Sequence, residues 1–294
     1  MQQFTVACAQ IAVTPMDPAA NLGRAVEWTR RAIEESGAQL LILPETLTTG
    51  FVPGVGPREL WDTVDALPGR LSEPLLRAAQ QLGIYMVFGT YERGAQRGVV
   101  YNSAALIGPS GDVMGVYRKT HLFPSERLTE GGWSTPGMEP VVVHTPLADI
   151  GMIICYDGDF PELVRAEAIM GAELIARPSA LMRSFEIWDL TCRARAYDNH
   201  VYVAGCNAVG SDAGGEFYFG HSMIIDPIGH KLAQARGTQE VISAQLNPDP
   251  IKYITYGAAS PMTFDHLADR NLAAYQRVLE PARSRFEPAP SRRD

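Results

Sequence analysis

The order of elements along the chain predicts a layered α/β fold, an α-β-β-α sandwich in which two sheets lie inside and helices outside. Three observations carry this. Short apolar strand runs alternate with segments of helical periodicity, hairpins interrupt that alternation, and neither a solenoid repeat nor a low-complexity linker occurs before about residue 280.

Each element has a local cause. Asp17-Pro18 reads as an N-cap and first helical position, and Leu22, Ala25, Val26, Thr29 and Ile33 follow at helical spacing until Gly37 closes the element. Leu40 to Leu43 is a short strand. A helix from Ser72 to Leu82 and a strand from Ile84 to Thr90 come next. Two strands, Asn102 to Ile107 and Val113 to Arg118, are then joined as a hairpin by Gly108-Pro-Ser-Gly111. The second half predicts a strand over 149–154, a helix over 161–170 stopped by Gly171, a strand over 173–176, a helix over about 185–197 and a strand over 200–206. A further hairpin turns at Asp226-Pro-Ile-Gly229. Beyond Met262 the pattern weakens into a helix-like Leu267 to Leu279 and a Pro- and Arg-containing end. Residues 1–262 therefore read as one domain, and 263–294 as an arm that packs on a partner subunit or frays.

Composition limits the function. With 294 residues, 46% hydrophobic and 20% charged, the chain can bury a full core as one large domain. Its net charge of −8 argues against nucleic acid or an anionic membrane as the main partner and leaves a small-molecule substrate. No apolar run approaches the roughly 18 residues of a membrane span, and Met1-Gln-Gln-Phe4 lacks the regions of a signal peptide, so the expected compartment is cytoplasmic. Four cysteines are too few for a disulfide framework, and none is spaced Cys-x-x-Cys. The His and Cys spacings make no metal site, and no Gly-rich loop opens a helix in a phosphate-binding pattern. Neither a metal nor a cofactor is expected.

One cysteine differs from the others. Cys8 and Cys206 lie in apolar runs that read as interior strands, and Cys192 lies in a helical stretch. Cys155, in Gly151-Met-Ile-Ile-Cys155-Tyr-Asp-Gly-Asp-Phe-Pro161-Glu162, ends an apolar run and precedes a small-polar turn and a proline-started helix. Its sulfur is thus placed at a strand end beside a helix N-terminus, where a thiolate is stabilised and reachable. Two other strand ends carry reactive types, Glu45 in Pro44-Glu45-Thr46 and Lys119 in Tyr117-Arg-Lys119-Thr-His121. Either alone reads more readily as a structural ion pair. Their joint appearance with Cys155, in the order Glu, Lys, Cys, is far more specific.

With these residues the sequence resembles the nitrilase superfamily of carbon–nitrogen hydrolases over nearly its whole length. The resemblance is carried by Ala7-Cys-Ala-Gln10, Leu43-Pro-Glu45, Tyr101-Asn-Ser103, Tyr117-Arg-Lys119-Thr-His-Leu122, Cys155-Tyr-Asp-Gly-Asp-Phe-Pro-Glu162, Gly171-Ala-Glu-Leu-Ile175, Arg193-Ala-Arg-Ala196 and Phe219-Gly-His-Ser222. It implies the two-sheet sandwich, a homodimer paired through helices into an α-β-β-α-α-β-β-α core, and a Glu45-Lys119-Cys155 triad. By the same resemblance Cys155 is the nucleophile, Glu45 the general base and Lys119 a cation near the oxyanion, with the Tyr156 N–H as a second donor. Family members often carry a second glutamate in the loop after the lysine. Glu130, before Gly131-Gly-Trp133, matches that position better than Glu126, which beside Arg127 reads as half of a surface ion pair.

The segment after Cys155 looks more like the amidase and N-carbamoyl-hydrolase branches than like nitrilases, so hydrolysis of a small linear amide to acid and ammonia is expected. Nitrile or N-carbamoyl hydrolysis is the runner-up. Arg177, in Arg177-Pro-Ser179-Ala180, could meet a substrate carboxylate or could link the sheet. Trp133 and Phe185 could wall an apolar pocket or belong to the core. His121 and His221 read as packing or local hydrogen-bonding residues. A non-catalytic scaffold on the same fold would not need all three strand-end residues, and a Cys-His protease would need a histidine base that no motif supplies.

Overall fold

The computed structural model describes residues 1–248 and 265–282. The first half runs β1 (Phe4–Gln10), α1 (Pro18–Ser36), β2 (Leu40–Ile42), α2 (Pro57–Thr63), α3 (Glu73–Leu82), β3 (Tyr85–Arg93), β4 (Val100–Ile107) and β5 (Val113–Arg118). The second runs β6 (Val142–His144), β7 (Asp149–Met152), α4 (Pro161–Ile169), β8 (Leu174–Ser179), α5 (Phe185–Asn199), β9 (Tyr202–Asn207), β10 (Val209–Ser211), β11 (Phe217–Phe219), β12 (Met223–Ile225), β13 (Lys231–Gln234) and β14 (Glu240–Leu246).

Two six-stranded sheets form, ordered β14-β1-β2-β3-β4-β5 and β13-β12-β9-β8-β7-β6, with β10 and β11 as a separate hairpin. Strands β1, β2 and β3 run parallel, as do β7, β8 and β9, because helices carry the chain back between them. Antiparallel strands complete each sheet on both sides. Helices α1 and α3 cover the first sheet, α4 and α5 cover the second, and the sheets face each other through β1, β2 and β3 against β8 and β9. This is the expected α-β-β-α order.

Strand β1 shows how the sequence selects the layers. Val6 and Cys8 join the core between the sheets, while Ala7 and Ala9 join the core under α1 and α3. A strand covered on both faces reads as a continuous apolar run, which is why Val6-Ala-Cys-Ala9 shows no polar alternation. The small residues face the helices and let α1 approach. Helix α1 begins where Asp17 Oδ1 accepts from Ala20 N at 3.0 Å, and it ends where left-handed Gly37 donates to Ile33 O.

The chain also forms elements that periodicity did not reveal: α2, β6, the β10-β11 hairpin and β14. Strand β14 adds antiparallel to β1 along the full length of both, and its partly exposed outer positions weakened its apolar signal. The helix-like stretch beyond Leu267 is a 3-10 segment over Leu272–Leu279. The boundary placed at residue 262 and the Pro- and Arg-containing end beyond 282 lie outside the described residues.

Two glycines test opposite sides of this packing. A Cβ at Gly89 on β3 would lie 2.6 Å from the Glu45 Cα, so the strand can pass this close only without a side chain. A Cβ at Gly23, exposed in α1, would meet nothing within 4 Å. Gly89→Ala should therefore destabilise by roughly 1–3 kcal/mol, whereas Gly23→Ala should stabilise by roughly 0.5–1 kcal/mol in urea unfolding. Equal effects at the two positions would contradict the close approach.

Candidate active site

The strand ends of both sheets converge on one buried cluster. Glu45 follows β2, Lys119 follows β5, and both are fully buried. Lys119 Nζ donates to Glu45 Oε1 at 2.9 Å and to Glu126 Oε2 at 2.6 Å. The Asn102 amide, from β4, bridges the same two carboxylates at 2.7 and 2.8 Å. The Ala180 N–H reaches the other Glu45 oxygen at 2.7 Å, which ties this half of the site to the end of β8. The Phe51 ring closes the ammonium off, 5.2 Å from Nζ.

Cys155 comes from the second sheet. After β7 the chain turns sharply, and Cys155 takes φ of +45°, a left-handed conformation costly for a residue with a Cβ. Asp157 holds that turn. Its carboxylate accepts from Ile154 N at 3.0 Å, from Tyr117 Oη at 2.7 Å and from His121 N at 2.9 Å. His121 also sets its ring on Phe160 at 3.7 Å and its Nδ1 on Asp157, so the local role expected for this histidine stands. Cys155 lines a small recess with Phe51, Phe123, Tyr156, Leu181, Met182 and Arg183. Arg183 is paired bidentately with Asp159 at 2.8 Å for both bonds.

The charges sort themselves by environment. Burial opposes the Lys119 charge, but Glu126 and Glu45 outweigh it and hold the ammonium above the ordinary lysine range. Burial likewise pushes the Glu126 carboxyl up, and repulsion from Glu45 adds to this against the pull of Lys119. For Cys155, burial first and then the Glu45 charge push the thiol up, and Lys119 and Arg177 offset this only in part. Burial and Glu45 thus work against the thiolate expected from the strand-end position. A thiol disfavoured from ionising needs a base nearby if it is to act as a nucleophile.

Several expectations are corrected by the geometry. Glu130 is exposed in the short turn Leu128–Glu130, and the carboxylate that reaches Lys119 is Glu126. The turn Pro124–Glu126 aims Glu126 inward, where Phe123 N also donates to it at 3.0 Å, while Arg127 faces away and bonds Leu122 O. Adjacency to an arginine was misleading because consecutive side chains leave such a turn in different directions. Arg177 is fully buried and bonds the Cys155 carbonyl rather than facing the recess. Ser179 contributes its backbone, its carbonyl accepting from Glu45 N and Ala208 N. Trp133 stands behind the wall, donating to Tyr91 Oη at 2.7 Å with its ring edge-on to Phe51. Phe185 packs on His221 at 5.0 Å, away from the recess. Tyr156 does line it.

Sequence reasoning missed Asn102, Phe51, Phe123 and Asp157. Asn102 carried a signal, since it lies in the Tyr101-Asn-Ser103 segment and a lone polar residue inside a strand calls for partners. Phe51 carried none, being one aromatic in a loop. The Glu126 geometry makes a direct prediction. Glu126→Gln should lower turnover of a small amide by roughly 10²-fold, while Glu130→Gln should stay within about twofold of wild type; steady-state kinetics with the two variants would reveal the reverse order if the buried carboxylate were only structural.

The carbon–nitrogen hydrolase family pattern matches residues 5–255. The chain is 32% identical over 254 residues to an omega-amidase of Xenopus tropicalis, covering 84% of this chain and 90% of that protein. It is also 32% identical over 264 residues to an (R)-stereoselective amidase of a Pseudomonas species, covering 90% of each. Among solved structures, an amidase from a Nesterenkonia species superposes with a TM-score of 0.79 at 27% identity, covering 95% of this chain and 97% of that one. A variant of that amidase carries acrylamide added at its active-site cysteine. Family pattern, whole-length relatives and shared architecture agree, and the chain belongs to the carbon–nitrogen hydrolase family of the nitrilase superfamily.

Proposed function

We propose that the chain is an amidase that hydrolyses small linear amides to the carboxylic acid and ammonia through a thioester on Cys155. The observation that carries this is the fully buried Glu45-Lys119-Glu126 cluster beside a thiol at the mouth of an apolar recess. In this reading Glu45 takes the Cys155 proton as the sulfur attacks the amide carbonyl carbon. The tetrahedral oxyanion is met by the Lys119 ammonium and the Tyr156 N–H, donors worth on the order of 3 kcal/mol each. The C–N bond then breaks, and the Glu45 proton goes to the departing nitrogen to give ammonia. Water enters, gives a proton back to Glu45 and attacks the thioester. The C–S bond breaks, the acid leaves, and the thiol recovers its proton.

Glu126 holds Lys119 and Asn102 in place and fixes the ammonium by sharing it with Glu45. A fixed ammonium gains most where negative charge appears only in the transition state. The apolar walls of Phe51, Phe123, Leu181 and Met182 suit a short uncharged acyl chain. No helix among the described residues is long and apolar enough to cross a membrane, and the four cysteines are buried and unpaired, as suits a reducing, cytoplasmic setting. The exposed apolar side chains Ile169, Met170, Leu190 and Tyr197 on and beside α4 and α5 support pairing of that helical layer with a second copy.

Ammonia release from a panel of aliphatic and aromatic amides, N-carbamoyl amino acids and nitriles tests the reaction. Amides should be turned over, and Cys155→Ala should lose at least roughly 10³-fold of that rate while remaining folded. Preferred turnover of nitriles or N-carbamoyl compounds would replace the amide reading, and an active Cys155→Ala would remove the thiol. For the assembly, light scattering should give twice the chain mass, and Leu190→Glu should move it towards one; a monomeric wild type would dismiss the pairing.

A further inference from the structure

Arg177 is a buried cation without a visible counter-ion. Its side chain is fully buried on β8, and no carboxylate among the described residues pairs with it. Its guanidinium face lies over Trp188, 4.6 Å from the ring centroid. One edge donates through Nη1 to Thr191 Oγ1 at 2.9 Å and to Cys192 Sγ at 3.2 Å. The other edge donates through Nε at 3.0 Å and Nη2 at 2.6 Å, both to the carbonyl oxygen of Cys155. A charge taken out of water with no anion nearby costs several kcal/mol, more than a packing role would repay. The negative charge that would balance it is one that forms at the adjacent residue.

The peptide it grips has a second end. The Cys155–Tyr156 peptide is trans, so the carbonyl oxygen of Cys155 and the N–H of Tyr156 point in opposite directions from one rigid plane. Two donors on the oxygen fix that plane and so aim the N–H. They also polarise the peptide, since hydrogen bonds in series strengthen one another. The Tyr156 N–H itself has no acceptor among the described residues. The left-handed conformation of Cys155 needs such a hold.

Resting on the thioester reading above, we infer that Arg177 is a positioning residue for the reaction, whose two-pronged grip on the Cys155 carbonyl sets the nucleophile's backbone and aims and polarises the Tyr156 N–H as an oxyanion donor. Its contact with Cys155 is to the backbone carbonyl and not to the side chain. The cation stands close enough to Cys155 to favour its ionised form, which burial and Glu45 oppose. Gly158 leaves the space for it, because a Cβ there would lie 2.2 Å from the guanidinium carbon.

Two readouts on full-length protein separate this from a structural role: steady-state amide kinetics, and the pH dependence of Cys155 alkylation by iodoacetamide. Arg177→Met should lower kcat by roughly 10²-fold with KM within about threefold, and should move the alkylation midpoint to higher pH. Arg177→Lys keeps the charge but loses the fork, so it should restore most of the alkylation profile while kcat stays low. Gly158→Ala retains the arginine but displaces it, and should reproduce the loss of kcat even if Arg177→Met fails to fold. A raised KM with kcat unchanged would make Arg177 a substrate contact. An unmoved alkylation profile with only a lowered melting temperature would make it structural. Either result overturns the inference. If the wild type released no ammonia from any amide, the amide reading would fall by itself, and the alkylation profiles would still decide whether Arg177 acts on Cys155.

Discussion

A buried ammonium shared by two carboxylates sets the terms for the whole site. Lys119, Glu45 and Glu126 come from the ends of two strands and a turn, and each would be costly in the interior alone. Together, with Asn102 spanning both carboxylates, they hold each other in one arrangement. Losing Lys119 would leave both carboxylates without their cation, and losing either carboxylate would leave the ammonium with a single counter-ion. The cluster belongs to the first sheet, whose strand order brings the ends of β2, β4 and β5 together, and the Ala180 N–H on Glu45 ties it to the second sheet.

The second half of the site answers to a different constraint. Cys155 must end a buried strand and yet present its sulfur, and the left-handed turn achieves this at a conformational cost. The turn is held from two directions, by Asp157 accepting from the Ile154 N–H and by Arg177 donating to the Cys155 carbonyl. Tyr117 joins the halves, since it precedes Lys119 by two residues and bonds Asp157 at 2.7 Å. Burial and the Glu45 charge both push the Cys155 thiol up, while Lys119 and Arg177 pull the other way.

Placements read from strand ends agree with the tertiary structure, and placements read from neighbours in sequence do not. Cys155 directly follows an apolar run and Glu45 follows one after a single proline, and a run of that kind fixes where the next residue emerges, whereas Lys119 follows Arg118 at the end of the hairpin strand β5. Glu130 and Glu126 lie in short 3-10 turns, where side-chain direction depends on backbone turns that no periodicity encodes. Arg177, Ser179, Trp133 and Phe185 were placed near the pocket by residue type. Three of them serve from behind its wall, and Phe185 lies apart.

The layered α/β class, the main helices and central strands, the caps at Asp17 and Gly37 and the three strand-end residues were determined by the sequence itself, because they follow from local periodicity and residue chemistry. Which glutamate meets the lysine, how burial and Glu45 bear on the thiol and which carbonyl Arg177 grips were decided only in three dimensions. Those properties depend on burial and on partners distant in the chain, as with Lys119 and Glu45, which are 74 residues apart. The two strands concerned lie in one sheet with β3 and β4 between them, so the meeting is set by strand order, and one strand's sequence carries no record of which strands will flank it.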